Sequence, residues 1–216
     1  MRRTDALLAL ATLIIKLETS LPKFDLLLSD DASGRLATLL LREMADKVRK
    51  KQGKNGPVET YFLAAGIHDQ AKRIEMTHDF LATKIKPDTK VLLATEYISS
   101  GDSIMRLVEA LQSLTENFRV ATISLESSPE VYTLRSKKPR SGQRDTFGTI
   151  IDKTYWGKSP SYAGLTLYKQ EEHAGVHKKL SVPSPHPQAH LDMPDRIATA
   201  RQDIHILVEE FSKLLN

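Results

Sequence analysis

The stretch Val91-Leu92-Leu93-Ala94-Thr95-Glu96-Tyr97-Ile98-Ser99-Ser100-Gly101-Asp102-Ser103 decides the fold of this chain. Residues 90–95 are mostly apolar, the pattern of a short strand that is buried on both faces of a parallel sheet. A serine-rich turn follows, and apolar residues at helical spacing then predict a helix from about Ser103 to Thr115. A strand that leads through a polar turn directly into a helix is the repeating unit of α/β folds.

The same alternation of strands and helices extends to both sides of this stretch. Further strands are predicted at 24–28, 58–65 and 118–125, and further helices at 4–20, 36–51, 67–84 and 195–215. Because crossovers between parallel strands are right-handed, this order predicts an α/β fold: a parallel twisted sheet flanked by helices on both faces.

Composition excludes several classes of protein. Hydrophobic residues make up 40% and charged residues 27% of the 216 residues, which is globular rather than disordered composition. The net charge of +4 falls short of the excess typical of a dedicated nucleic-acid binder. The absence of cysteine excludes disulfides and is typical of a reducing compartment, so we expect a cytoplasmic protein. The apolar run Ala6–Ile15 is shorter than the ~20 residues that a membrane span needs, so we expect no membrane association.

The turn after the third predicted strand has the chemistry of an anion site. In open parallel sheets, ligands bind at the carboxyl ends of the strands. The hydroxyls of Ser99, Ser100 and Ser103 and the backbone N–H groups before a helix can hold a phosphate, and Gly101 permits close approach. Glu96, at the end of the strand, would then face the sugar of a phosphorylated ligand.

This turn resembles the phosphoribosyl-diphosphate signature of the type I phosphoribosyltransferases. That signature has four apolar strand residues, two acids, two apolar residues and a glycine loop rich in Thr and Ser. Over about residues 23–126, the resemblance implies a phosphoribosyltransferase-like core with a divergent C-terminal extension. It places the 5′-phosphate on Ser99, Ser100, Gly101, Asp102 and Ser103, and the ribose on Thr95 and Glu96, with Glu96 at the catalytic position. Thr95 replaces the first acid and Tyr97 an aliphatic residue, so binding of a sugar phosphate is expected more firmly than turnover.

A second polar turn, residues 30–35, follows the first predicted strand. The resemblance places the diphosphate there, on Ser33, Gly34 and Arg35, whose backbone donors and guanidinium suit phosphate oxygens. It also implies Mg²⁺ as a cofactor, which Asp30 and Asp31 could hold through water. The alternative is that Asp31 or Ser33 caps the following helix.

The resemblance divides the chain into three parts. Residues 1–22 form an N-terminal helix that would contribute to the hood over the site, and 23–126 form the core. Residues 127–216 form a variable extension with a basic loop and a C-terminal helix. Family members carry a mobile loop where this chain has 66–86, and that segment contains His68, Asp69, Lys72, Arg73 and His78. The expected function is binding of phosphoribosyl diphosphate or a nucleotide, with transfer of the phosphoribosyl group to an unidentified acceptor as its enzymatic form.

Three alternatives remain. A non-catalytic nucleotide-sensing regulator on the same core would bind RNA or DNA through the basic stretch 131–158, with Tyr155 or Trp156 stacking on bases. Gly101-Asp102-Ser103-Ile104 matches the block of GDSL-type hydrolases, although the late Asp203-Ile204-His205 has the wrong spacing. His173 and His177 are at helical spacing for a metal, but a solvated helix face is the simpler interpretation. A homodimer is left open.

Overall fold

Five parallel strands form the centre of the computed structural model, which describes residues 3–30, 34–54, 56–63, 77–98, 102–125, 154–158 and 193–213. The strands are β1 (Leu26–Asp30), β2 (Glu59–Leu63), β3 (Val91–Ile98), β4 (Phe118–Leu125) and β5 (Thr154–Lys158). Their order across the sheet is β2-β1-β3-β4-β5, and every neighbouring pair is parallel. The predicted α/β fold is therefore confirmed, and β5 is an additional strand inside the basic stretch where none was predicted.

Helices cover both faces of this sheet. They are α1 (Arg3–Leu17), α2 (Arg35–Lys51), α3 (77–82), α4 (Asp102–Gln112) and α5 (Met193–Ser212), with a short 3-10 turn at Leu21–Lys23. Side chains of α1, α2 and α5 share one core with one face of the sheet, and those around α3 and α4 share a second core with the other. We call these the α2 face and the α4 face. Among the described helices, none has the length and hydrophobicity needed to cross a lipid bilayer.

Alternation along the strands divides the apolar side chains between the two cores. Leu27, Leu92 and Ala94 lie on the α2 face, while Leu28 and Leu93 lie on the α4 face. Strands buried on both sides in this way carry nearly continuous apolar sequence. This is why β1 and β3 are visible in the sequence as short hydrophobic runs.

The amino edge of the sheet is closed by hydrogen bonds between side chains and backbone. Asp25 Oδ2 accepts a bond from the backbone N–H of Lys90 at 3.0 Å, where β1 and β3 begin. Thr115 Oγ1 donates to the carbonyl oxygen of Pro87 at 3.0 Å, which fixes the entry into β3 from the α4 side. These bonds satisfy backbone groups at the ends of the elements, so this edge serves structure.

The N-terminal helix packs very closely against β4 and β5, at one side of the sheet. α1 packs across β5 and β4, and Gly157 is the point of closest approach. A Cβ atom at Gly157 would collide with the backbone oxygens of Ala9 and Ile123. Glycine within a strand commonly marks such an approach, because it has no side chain to displace a neighbouring backbone. Beside it, Tyr155 packs against the core of the α2 face.

Gly157→Ala is expected to destabilise the protein, because the added methyl group must push α1 away from the sheet. Overpacking of this kind typically costs about 1–3 kcal/mol. Urea unfolding followed by circular dichroism measures the change in free energy.

Gly53→Ala is the matched control for this substitution. Gly53 has φ +72°, in the left-handed region just beyond α2, but nothing lies within 4 Å of the point where a Cβ atom would stand. Its cost is therefore backbone strain alone, about 1–2 kcal/mol. A Gly157→Ala protein as stable as the wild type would contradict the close packing of α1 on β5.

The C-terminal helix α5 is held on α2 by an apolar contact with ion pairs along it. Ile204, Val208 and Phe211 are buried in the core of the α2 face. Lys47 Nζ lies 2.6 Å from Glu209 Oε2. The hydrogen bond from Lys47 lowers the pKa of Glu209 below its ordinary value of 4.5.

The Lys47–Glu209 pair predicts a pH-dependent part of the stability. Because the folded pKa of Glu209 is lowered, the stabilisation is present above pH 4.5 and is lost as the pH falls through the lowered value. Lys47→Met keeps the aliphatic part of the side chain and removes the charge. The stability difference between wild type and Lys47→Met, measured by urea unfolding, should be larger at neutral pH than well below pH 4.5. An equal difference at both values would contradict the pairing.

Candidate functional site

The two polar turns found in the sequence follow strands that are neighbours in the sheet. β1 and β3 pair in parallel, with Leu26 beside Val91 and Ser29 beside Ala94. The chain leaves β1 towards α2 on one face and leaves β3 towards α4 on the other. Connections that diverge from adjacent strands open a crevice at the carboxyl edge, and this switch point is where open α/β sheets bind ligands. The topology thus brings the ends of β1 and β3 and the starts of α2 and α4 to one edge of the sheet.

α2 begins at the β1 side of this crevice. Gly34 occupies the N-cap position with φ −83° and ψ −8°, and its carbonyl oxygen accepts the first helical bond from Thr38 N–H at 2.8 Å. Asp31 and Ser33 lie outside the described residues, so a capping contribution from either of them stays a prediction. Gly34 is buried and Arg35 is half-buried.

Arg35 stands directly against an aromatic ring. Its Cζ atom lies 5.1 Å from the centroid of Phe62, a cation–π contact. Phe62 is beside Ser29 in the register of β1 and β2, one residue before the end of β2. The guanidinium predicted to hold a diphosphate is therefore held at the carboxyl edge by the neighbouring strand.

β3 forms the other side of the crevice and is longer than predicted. Its pairing with β4 continues to Ile98, so that Thr95 and Glu96 lie within the strand. Both are buried, with 1% and 0% of their surfaces exposed. By strand alternation, Glu96 is on the α2 face with Ala94, and Thr95 is on the α4 face with Leu93. The backbone oxygen of Glu96 accepts a bond from Thr122 Oγ1 at 3.2 Å.

Other polar side chains are buried close to this edge. Ser29, in β1, and Thr38, in the first turns of α2, are both 0% exposed. In the part of the chain that the structure describes, Thr38 Oγ1 makes no hydrogen bond. Among the described residues, the other buried polar side chains are Thr115, Thr122 and Thr154.

α4 begins at Asp102, on the far side of the predicted phosphate loop. Ser33, Ser99, Ser100 and Gly101 lie outside the described residues, as do the side chains of Asp30, Asp102 and Ser103. Their assignment to phosphates therefore stays a prediction, and so do the ribose and catalytic roles of Thr95 and Glu96.

Two helix N-termini face the crevice, one on each face of the sheet. α2 has 17 residues and α4 has 11, long enough for each to carry about half a positive charge at its first turn. α2 has no acidic residue in its first turn to neutralise that charge. The start of α2 therefore favours an anionic ligand, whereas α4 begins at an acidic residue, Asp102.

The other sequence candidates do not join this cluster within the described residues. His78 forms a surface pair with Asp79 at 3.5 Å, whereas His68, Asp69, Lys72 and Arg73 lie outside the described ranges. His205, the late histidine of the hydrolase alternative, lies 3.6 Å from Glu43 on the exposed side of the α2–α5 contact. His173 and His177 also lie outside the described ranges, and the described residues contain no group of three or more His, Asp or Glu that could hold a metal.

Phe62 is the residue at this edge that the sequence patterns missed. An aromatic side chain inside a predicted strand is normally assigned to the core. The signal that distinguishes it is its place, at the carboxyl end of the strand next to β1, where side chains border the crevice.

The fold is a doubly wound α/β sheet whose topological switch point lies between β1 and β3. No family model and no curated protein matches the chain. Among solved structures, it is similar to the hypoxanthine-guanine phosphoribosyltransferase of Schistosoma mansoni in complex with IMP. The TM-score is 0.39 and the identity 19%, over 58% of this chain and 57% of that one.

Proposed function

We propose that this protein binds a phosphoribosyl compound, either phosphoribosyl diphosphate or a nucleotide, in the crevice between β1 and β3. One observation carries the proposal: the two turns with anion-binding chemistry follow adjacent strands and lead into helices on opposite faces. A ligand with phosphates at both ends of a ribose can contact both turns at once. The resemblance of residues 91–103 to the phosphoribosyl-diphosphate signature supports the same ligand.

Each part of the crevice has a role in this proposal. The turn from Ser99 to Ser103, at the start of α4, holds the 5′-phosphate through backbone N–H groups and hydroxyls. Glu96, on the α2 face of the sheet, accepts hydrogen bonds from the ribose hydroxyls, whereas Thr95 lies on the opposite face. Gly34 and Arg35, with Ser33, hold the diphosphate at the start of α2.

Phosphoribosyl transfer, if an acceptor enters the crevice, is mainly an electrostatic reaction. The bond between the ribose C1 and the diphosphate breaks, positive charge develops on the sugar, and the leaving diphosphate takes the electron pair. Arg35 and the N-terminus of α2 stabilise the departing negative charge, and the carboxylate of Glu96 favours the cationic sugar. No described residue is assigned as a general base.

Mg²⁺ fits this site as a partner of the ligand rather than as a resident of the empty protein. Mg²⁺ is usually bound by one or two carboxylates together with phosphate oxygens and water. The described residues offer single carboxylates rather than a cage of several, which suits that mode. Asp30 and Asp31, at the end of β1, are the residues that would hold it through water, and the ion would supply charge that neutralises the diphosphate.

Calorimetric titration tests the proposal directly. We expect saturable binding of phosphoribosyl diphosphate, tighter with Mg²⁺ than without it, and weaker binding of ribose 5-phosphate. Release of diphosphate in the presence of candidate bases would establish transfer, whereas nucleotide binding without release would assign a sensor. Salt-sensitive binding of RNA with no affinity for any phosphoribosyl compound would overturn the proposal.

Glu96→Gln is expected to weaken binding of phosphoribosyl diphosphate by roughly tenfold, because an amide accepts the ribose hydroxyl bonds less strongly than a carboxylate. The substitution keeps the size of the side chain, so the fold should be retained. Calorimetry gives the dissociation constant, and circular dichroism checks the fold.

Glu109→Gln is the matched control, since Glu109 is exposed on α4 and carries the same chemical change. It should bind as the wild type does. If Glu96→Gln binds as tightly as this control, Glu96 does not contact the ribose.

A further inference from the structure

Arg35 occupies a position that the helix itself disfavours. It is the first residue of α2, and no acidic residue accompanies it in the first turn. A cation at the positive end of the helix dipole is electrostatically unfavourable. A favourable contact elsewhere can offset this cost. The positive field of the helix N-terminus also strengthens the attraction of the arginine for anions.

Phe62 supplies that contact from the neighbouring strand. The Cζ atom of Arg35 lies 5.1 Å from the ring centroid, within the distance of about 6 Å at which a guanidinium is attracted to an aromatic face. Phe62 stands beside Ser29 in the register, and alternation with Tyr61 and Leu63, which pack on the α4 face, places it on the α2 face. The ring is therefore anchored in the sheet, while the arginine belongs to the helix that borders the crevice.

A cation–π contact restrains an arginine without consuming its hydrogen-bond donors. An aromatic face offers no hydrogen-bond acceptor of the ordinary kind, so contact with it leaves the five N–H donors of a guanidinium able to bind oxygen atoms. Restraint in advance lowers the entropic cost of binding, because a long side chain loses rotamer freedom when it is immobilised. Two parallel N–H donors suit a pair of phosphate oxygens, and a diphosphate offers more of these than one phosphate.

We propose that Phe62 is a positioning residue that holds Arg35 ready for the diphosphate end of the ligand, and so sets a preference for diphosphate over monophosphate compounds. This inference rests on the proposed function of the crevice. Phe62 acts through Arg35 and does not itself touch the ligand.

Four variants test the role of Phe62: Phe62→Leu, Phe62→Tyr, Arg35→Gln and the double variant Phe62→Leu/Arg35→Gln. Leucine keeps apolar bulk and removes the ring, whereas tyrosine keeps the ring. Tyr61→Leu is the matched control, because it removes a ring from the same strand, on the α4 face, where Tyr61 packs edge-on against Phe80 at 5.0 Å. Dissociation constants are measured by calorimetry for phosphoribosyl diphosphate and for ribose 5-phosphate at fixed Mg²⁺.

We expect Phe62→Leu to weaken binding of phosphoribosyl diphosphate by about tenfold and binding of ribose 5-phosphate by less than about twofold. Phe62→Tyr should bind both ligands as the wild type does, and Tyr61→Leu should leave the ratio of the two affinities unchanged. The double variant should bind no more weakly than Arg35→Gln alone, because the ring has no role once the guanidinium is gone.

A purely structural role for Phe62 gives a different pattern. Phe62→Leu would then weaken both ligands equally, or its effect would add fully to that of Arg35→Gln, and either result overturns the inference while the proposed function stands. If the wild-type protein binds neither ligand, the proposed function fails first, before any variant is needed. Thermal unfolding of each variant confirms that the comparison is made between folded proteins.

Discussion

Parallel pairing of β1 with β3 is the constraint on which the rest of the molecule depends. From β1 the chain passes through α2 to β2 at the edge of the sheet and then returns to β3, on the other side of β1. The connection after β1 therefore leads to one face of the sheet, and the connection after β3 leads to the other. This divergence opens the crevice and sets the starts of α2 and α4 on its two sides. Backbone hydrogen bonds close the amino edge, so structural and binding tasks fall on opposite edges of one sheet.

The alternation of strands and helices could be predicted from the sequence because buried parallel strands need apolar side chains on both faces. Leu26, Leu27 and Leu28 are all buried, which gives β1 its unbroken hydrophobic run. The length of β3 could not be predicted, since Tyr97 and Ile98 join the strand through pairing with Ser124 and Leu125 in a strand that is distant in sequence. β5 could not be predicted because Thr154–Lys158 is short, contains a glycine and lies in a basic stretch.

Some residues of the candidate site can be proposed from local sequence, and others only from the tertiary structure. Thr95, Glu96, Gly34 and Arg35 could be proposed from the sequence because polar residues after an apolar run are recognisable, and the structure places them towards the carboxyl edge of the sheet. The contribution of Phe62 could not, because it depends on the register of β1 with β2 and on where α2 begins. The burial of Glu96 could not be predicted either, because a carboxylate in a central strand is buried by the helices that pack on the sheet.

The packing of α1 on β5 brings together segments that are far apart in the sequence. During synthesis on a ribosome, α1 emerges long before β5 is made. The apolar side of α1 cannot pack on β5 until Gly157 has left the exit tunnel. Closing so long a loop is entropically costly and slow. Because α1 also packs on β4, its final position is completed only when both residues 118–125 and residues 154–158 have been synthesised.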